Sequence, residues 1–201
     1  MKYLGNASNG NAAIVVCEDF YHESELNLIW EELNFIAKPS NLLPPEKTSA
    51  AVINGVIQKK NSGVFLDDVY ADRKFSNILN LNRSIFGEDL VKELIKFNPI
   101  FRHLANTNKD NTLVSYYENG DYYKPHTDAC NITVLNYYFK EPKAFTGGNF
   151  RFNDFNIEIE VKNNMTIFMP SCYLHEVTPI EYLSDKPGYG RYCVSQFTYV
   201  V

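Results

Sequence analysis

The chain has 201 residues, 45% of them hydrophobic, and a formal net charge of −5. That suits one globular domain with a sizeable core, and an acidic balance without any lysine or arginine run argues against a nucleic-acid-binding face or a polybasic membrane patch. No stretch is apolar for long enough to form a membrane helix, "MKYLGNASNGNAAIVV" lacks the basic and apolar blocks of a signal peptide, and the irregularly spaced Cys17, Cys130, Cys172 and Cys193 imply neither a disulfide framework nor a zinc ribbon.

In chain order, "SELNLIWEELNFI" (24–36) places Leu26, Ile29, Trp30, Leu33 and Ile36 on one helical face and predicts a docked amphipathic helix. Pro39 and Pro44-Pro45 then remove backbone donors, so 37–49 reads as an irregular connector. "GVFLDD" reads as a short strand, and Asp67 and Asp68 there as a strand end or helix cap rather than metal ligands. Ala71 to Phe97 returns to helical spacing, with Gly87 dividing two helices. Beyond Asn111 the texture changes to short β-branched and aromatic runs, "TLVSYY", "ITVLNYYF", "NFRF", "IEIEV", "MTIFM", "HEVTPI" and "RYCVSQFTYVV", separated by turn residues. The expected fold is α+β, mainly β. One domain spans 1–201, with 1–110 mainly helical support and 111–201 a double-stranded β-helix, a jelly-roll variant.

The stretch "YYKPHTDACN" (122–131) puts His126 and Asp128 two positions apart. In extended backbone such side chains point to the same side, so both can reach one ion. Alone, an H-x-D pair means little. His175 is the best third ligand, because it opens a strand-like run downstream while His22 and His103 lie in the helical half. Two imidazoles and a carboxylate on one face of an octahedral ion leave positions open for a bidentate co-substrate and oxygen, the arrangement suited to non-haem Fe(II). Cys130 is read as a bystander, since a soft thiolate beside such a centre invites oxidation. A glycan on the Asn131-Ile132-Thr133 sequon would obstruct this pocket, which favours a compartment without glycosylation, and a cytoplasmic location is expected.

From about Leu113 to Tyr199 the sequence resembles the Fe(II)/2-oxoglutarate-dependent dioxygenases, specifically the prolyl 4-hydroxylase-like branch. "YENGDYYKPHTD" is similar to the family's Y-x-x-G-x-x-Y-x-x-H-x-D through Tyr117, Gly120, Tyr123, His126 and Asp128. "ITVLNYYF", "TGGNFRF", "HEVTPI" and "GRYCVSQF" follow in the family's order. The resemblance implies Fe(II), 2-oxoglutarate and O2, with ascorbate as a reductant. It makes His126, Asp128 and His175 the catalytic metal ligands. Arg191 becomes the bidentate partner of the far carboxylate of 2-oxoglutarate, joined by Tyr137, Tyr117 and, through strand alternation from Arg191, Ser195. Tyr123 is assigned to the substrate side. Unbroken alternation from His126 would instead turn Tyr122 and Lys124 inward, and a bulge or a strand end near Lys124 and Pro125 is expected to reconcile the two. Two departures stand out: Arg191 follows His175 by 16 positions, wider than is usual, and Asn149 replaces the acidic residue that often follows the Gly-Gly turn.

The expected reaction is hydroxylation of an unactivated carbon with release of succinate and CO2. The substrate is a prolyl or other residue of a polypeptide or, alternatively, a free amino acid or small metabolite. A non-enzymatic jelly-roll metal-binding protein, with zinc at the triad, is the rival from another class. No nucleic-acid or membrane partner is expected, and oligomeric state is left open.

Overall fold

A computed structural model describes residues 1–5, 12–36, 41–183 and 189–201; the start of the predicted connector and part of the stretch before Arg191 lie outside the described residues. Two short strands, β1 (Lys2–Tyr3) and β2 (Val15–Cys17), precede α1 (Glu23–Ile36). A small hairpin, β3 (Val52–Ile53) and β4 (Val56–Ile57), leads to β5 (Lys59–Lys60) and β6 (Ser62–Phe65). The helical stretch holds α2 (Leu66–Val69), α3 (Asn77–Leu81), α4 (Glu88–Phe97) and α5 (Arg102–Ala105), joined by 3-10 turns. Strands then take over: β7 (Lys109–Tyr117), β8 (Tyr122–His126), β9 (Ile132–Tyr138), β10 (Phe145–Gly147), β11 (Phe150–Phe152), β12 (Ile157–Ile159), β13 (Met165–Pro170), β14 (His175–Val177), β15 (Ile180–Tyr182) and β16 (Arg191–Tyr199).

The larger sheet runs β1-β2-β13-β9-β16-β7-β6 and the smaller β12-β11-β14-β8-β5, with β10 and β15 paired separately. The strand pairs are antiparallel, and the sheets form the two walls of the mainly β, double-stranded β-helix expected from the sequence. Between them lies an aromatic-rich core that includes Tyr137, Phe150, Phe152, Met165 and Ile167. The central strands β9 and β16 of the larger sheet are buried on both faces, so polar side chains on them such as Asn136 and Gln196 are buried along with the apolar ones. On β16, Arg191 packs on Tyr137 of the inner core and Cys193 belongs to that core, whereas Tyr192 and Val194 pack outward under the helices.

Helix α1 docks as its periodicity predicts, burying Ile29, Leu33 and Ile36, with Trp30 edge-on to Tyr192 at 5.7 Å between ring centroids. The same face buries Glu32, a charge the pattern does not anticipate. Its carboxylate accepts from the Ser76 hydroxyl at 2.6 Å and the Ile78 amide at 2.8 Å, tying α1 to the start of α3.

Three expectations need correction. The first 110 residues are more than helical support, because β1, β2 and β6 edge the larger sheet and β5 edges the smaller. "GVFLDD" is strand only as far as Phe65; Leu66 opens α2, and Asp67 accepts from Arg73 and from the Thr112 amide, a structural role. The stretch before Gly87 breaks at Asn82 into a 3-10 turn rather than forming one helix. Among the described residues no helix is long and apolar enough to cross a membrane.

Candidate active site

His126 ends β8 and His175 begins β14, and the two residues face each other across an antiparallel pair. Asp128 lies just past β8, where its backbone amide donates to the Ser171 carbonyl at 2.9 Å. The ligand atoms of His126, Asp128 and His175 all fall within 4.8 Å of one another. His126 Nε2 is 3.8 Å from Asp128 Oδ1, and His175 Nε2 is 3.6 Å from Asp128 Oδ2.

The surroundings orient each donor. His126 Nδ1 bonds the Lys124 carbonyl and His175 Nδ1 the Tyr173 carbonyl, each at 2.8 Å. With the proton on Nδ1, each Nε2 keeps its lone pair turned to the common centre. Burial, then the nearby His175, lowers the His126 pKa to about 3, so its imidazole is neutral near pH 7. The Thr133 hydroxyl donates to Asp128 Oδ2 at 2.7 Å and lies 2.9 Å from the Ser171 hydroxyl. Cys130 Sγ turns to Ser171 Oγ at 2.8 Å and is not one of the three clustered ligands.

The bulge expected on β8 is present. His175 pairs with His126 but Val177 with Tyr123, so two steps along β14 match three along β8. The extra residue swings Tyr123 inward, where its ring stacks on His126.

The larger sheet supplies the opposite wall. Tyr117 pairs with Arg191, Cys193 with Tyr137 and Ser195 with Leu135, an alternating set that shares the inner face. Arg191 is fully buried. Its Nη1 donates to the Gly148 carbonyl, and its guanidinium lies 4.3 Å from the Tyr117 ring centroid and 5.1 Å from that of Tyr137. Among the described residues Arg191 Nε and Nη2 and the buried Tyr137 hydroxyl have no hydrogen-bond partner. Burial raises the Tyr117 and Tyr137 pKa values well above the usual phenol range, keeping both hydroxyls as donors. Unsatisfied buried donors beside an uncompensated guanidinium are costly unless an anion joins them, so a carboxylate-bearing co-substrate fits.

All the residues singled out from sequence therefore surround one interior pocket: Tyr117, Tyr123, His126, Asp128, Tyr137, His175 and Ser195 line it, and Arg191 packs on two of them. Sequence reasoning missed Lys59 and Asn61, which line the same pocket from the short link between β5 and β6. Alternation in "KKNSGVF" was the one available signal. The Gly-Gly turn also has a role at the site. Gly147 and Gly148 both have positive φ, 66° and 63°, and the conformation brings the Gly148 carbonyl to Arg191.

Comparison with known proteins agrees with this geometry. Residues 112–199 match the family model of the 2OG-Fe(II) oxygenase superfamily. An uncharacterized PKHD-type hydroxylase of Synechocystis sp. is 31% identical over 98 residues, a match taking in 39% of this chain and 32% of that relative. A Pseudomonas putida prolyl-4-hydroxylase superposes with a TM-score of 0.64 at 14% identity, covering 94% of this chain and 92% of the other. A Trichoplax adhaerens prolyl hydroxylase, solved with a hypoxia inducible factor peptide fragment, gives 0.63 at 14% identity over 94% and 84% of the two chains. The domain implies Fe(II), 2-oxoglutarate and O2, and the two-histidine, one-carboxylate donor set fits that metal. The strand-rich stretch 112–199 thus matches, in sequence pattern and in site geometry, a 2OG-Fe(II) oxygenase domain.

Proposed function

We propose that this protein is an Fe(II)- and 2-oxoglutarate-dependent hydroxylase acting on a prolyl or other residue of a polypeptide. The carrying observation is that a clustered His-Asp-His set lines the same pocket as Tyr117 and Tyr137, on which packs a fully buried Arg191 whose Nε and Nη2 have no partner among the described residues. A zinc-binding jelly roll would have no use for the second feature.

Bound Fe(II), with O2 and 2-oxoglutarate, supplies the oxidising power that turns a C–H bond into C–OH while the co-substrate becomes succinate and CO2. His126, Asp128 and His175 would hold the metal. Arg191 would receive the far carboxylate of 2-oxoglutarate, with Tyr137, Tyr117 and Ser195 around it. The apolar wall of Leu135, Phe150 and Val177 excludes water and so strengthens those contacts. Tyr123 stands between this pocket and a groove of about 260 Å³ that also touches Asp128 and runs past Ala51, Ala129 and Phe65. A groove continuous with the metal centre favours an extended chain over an enclosed metabolite. The unpaired thiols agree with a reducing, cytoplasmic setting.

The test is succinate formation from 2-oxoglutarate with Fe(II). The wild type should produce succinate, His126→Ala should not, and Arg191→Ala should lose 2-oxoglutarate affinity. Metal-dependent 2-oxoglutarate binding that Arg191→Ala leaves unchanged would overturn the pocket assignment.

A further inference from the structure

Among the polar pocket residues that the proposed chemistry does not use are Lys59 and Asn61. They lie two apart on the segment that leaves the smaller sheet at β5 and enters the larger one at β6, so both side chains fall on the same side. Each is about as buried as a core residue, with 4% and 5% of its surface exposed. Lys59 Nζ donates to the Thr48 carbonyl at 2.7 Å and sits 5.4 Å from the Tyr123 ring centroid. An ammonium has three donors, and among the described residues no carboxylate lies within ion-pair distance of this one. Among the described residues neither Asn61 Nδ2 nor Oδ1 makes a well-aligned hydrogen bond, although the side chain is close enough to act on the Tyr117 hydroxyl.

Charge balance says what is missing. Apart from the two metal-ligand imidazoles, the charged groups at the pocket are Asp128, Lys59 and Arg191. A divalent cation and a dicarboxylate co-substrate cancel each other, and Arg191 offsets Asp128. Lys59 is left over: Asp128, whose field reaches it, is already offset in this count, and a low-dielectric pocket does not tolerate a surplus buried cation cheaply.

We propose that Lys59 and Asn61 form a recognition wall for a carboxylate carried by the substrate. This rests on reading the pocket as that of a 2-oxoglutarate-dependent hydroxylase. The Lys59 ammonium receives the carboxylate, and Asn61 Nδ2 adds a second donor while its Oδ1 accepts an N–H from the same molecule. The carboxylate is either the α-carboxylate of a free amino acid or an aspartyl or glutamyl side chain in a polypeptide.

The test uses the full chain loaded with Mn(II) and saturating N-oxalylglycine, so that the co-substrate position is filled. One arm titrates free L-amino acids against their amides; the other titrates end-blocked peptides containing Asp or Glu against the same peptides with Asn or Gln. The expected result is a carboxylate probe in one arm that binds about ten-fold or more tightly than its amide, the scale of one charge-assisted hydrogen bond. Lys59→Met should erase that preference, Lys59→Arg should keep part of it, and Asn61→Leu should weaken the carboxylate probe several-fold. No carboxylate preference in either arm, or a preference that survives Lys59→Met, overturns the proposal. Loss of N-oxalylglycine binding in Lys59→Met would also overturn it, by assigning Lys59 to the co-substrate. Wild-type protein that fails to bind Mn(II) and N-oxalylglycine at all would instead defeat the hydroxylase reading beneath it.

Discussion

Tyr123 lies flat on the imidazole of His126, with ring centroids 3.4 Å apart and planes 14° from parallel. Its hydroxyl accepts a hydrogen bond from the Ala51 amide at 2.9 Å, so one side chain braces a metal-ligand candidate and the chain leading into the β3–β4 hairpin. Tyr123→Phe should keep the stack and lose the bond, costing about 1 kcal/mol of stability with Mn(II) affinity nearly unchanged. Tyr123→Ala should loosen His126 and weaken Mn(II) binding as well. Chemical denaturation and metal titration of both variants separate the two roles.

Thr133 fixes the Asp128 carboxylate from behind, and such supporting contacts typically carry about 10- to 100-fold in metal affinity. Thr133→Val keeps the shape and removes the donor, so Mn(II) should bind more weakly by about that factor. Thr133→Ser should restore most of it. Isothermal titration on all three proteins makes the comparison.

Burial lowers the Lys59 pKa from 10.5 to about 8, against the opposing pull of Asp128. Between those values the unfolded chain binds more protons than the folded one, so this residue makes stability rise with pH across that window. Below about pH 8 the full penalty of burying the charge applies. The stability difference between wild type and Lys59→Met should therefore shift in favour of the wild type by a few kcal/mol from about pH 8 to 10.5. Denaturation curves for the pair at several pH values read this difference, and the buried tyrosines common to both cancel.

Glu32 holds α1 to α3 through two short hydrogen bonds. Glu32→Ala strands a buried hydroxyl and a buried amide, at roughly 1–3 kcal/mol for each unsatisfied group. The melting temperature should fall by several degrees, and Glu32→Gln should recover part of the loss because one oxygen still accepts.

Gly147 has a positive φ, and a Cβ there would meet the Pro179 carbonyl oxygen. Gly147→Ala should strain the turn that brings the Gly148 carbonyl to Arg191 and weaken N-oxalylglycine binding, while leaving Mn(II) binding at the triad intact. Two separate titrations distinguish these outcomes.

Much of the pocket was legible in the sequence, because its parts sit on strands where a two-residue period decides which way a side chain faces. His126 with Asp128, and Arg191 with Ser195, follow from that period, and the β8 bulge was foreseen because Tyr123 violated it. The short strands that the first 60 residues add to the two sheets were not legible. β2 and β5 are three and two residues long, too short for any period to register, and their strand character comes from partners far away in the chain, β13 and β8. Lys59 was hidden for the same reason. Glu32 was hidden because a charged residue within an amphipathic pattern reads as solvent-facing until its acceptors are matched to donors on another helix.

The outermost strands of the larger sheet have a further implication. β13 is capped by β2, and β7 by β6, so the stretch 112–199 borrows its flanks from residues that precede it. A fragment trimmed to that stretch would bare the backbone amides and carbonyls of β13, β7 and β8 along three sides, offering each as a template for another copy. Such a fragment should oligomerise through its strands even if every pocket residue were retained, making the leading residues a guard against self-association as well as a source of pocket wall.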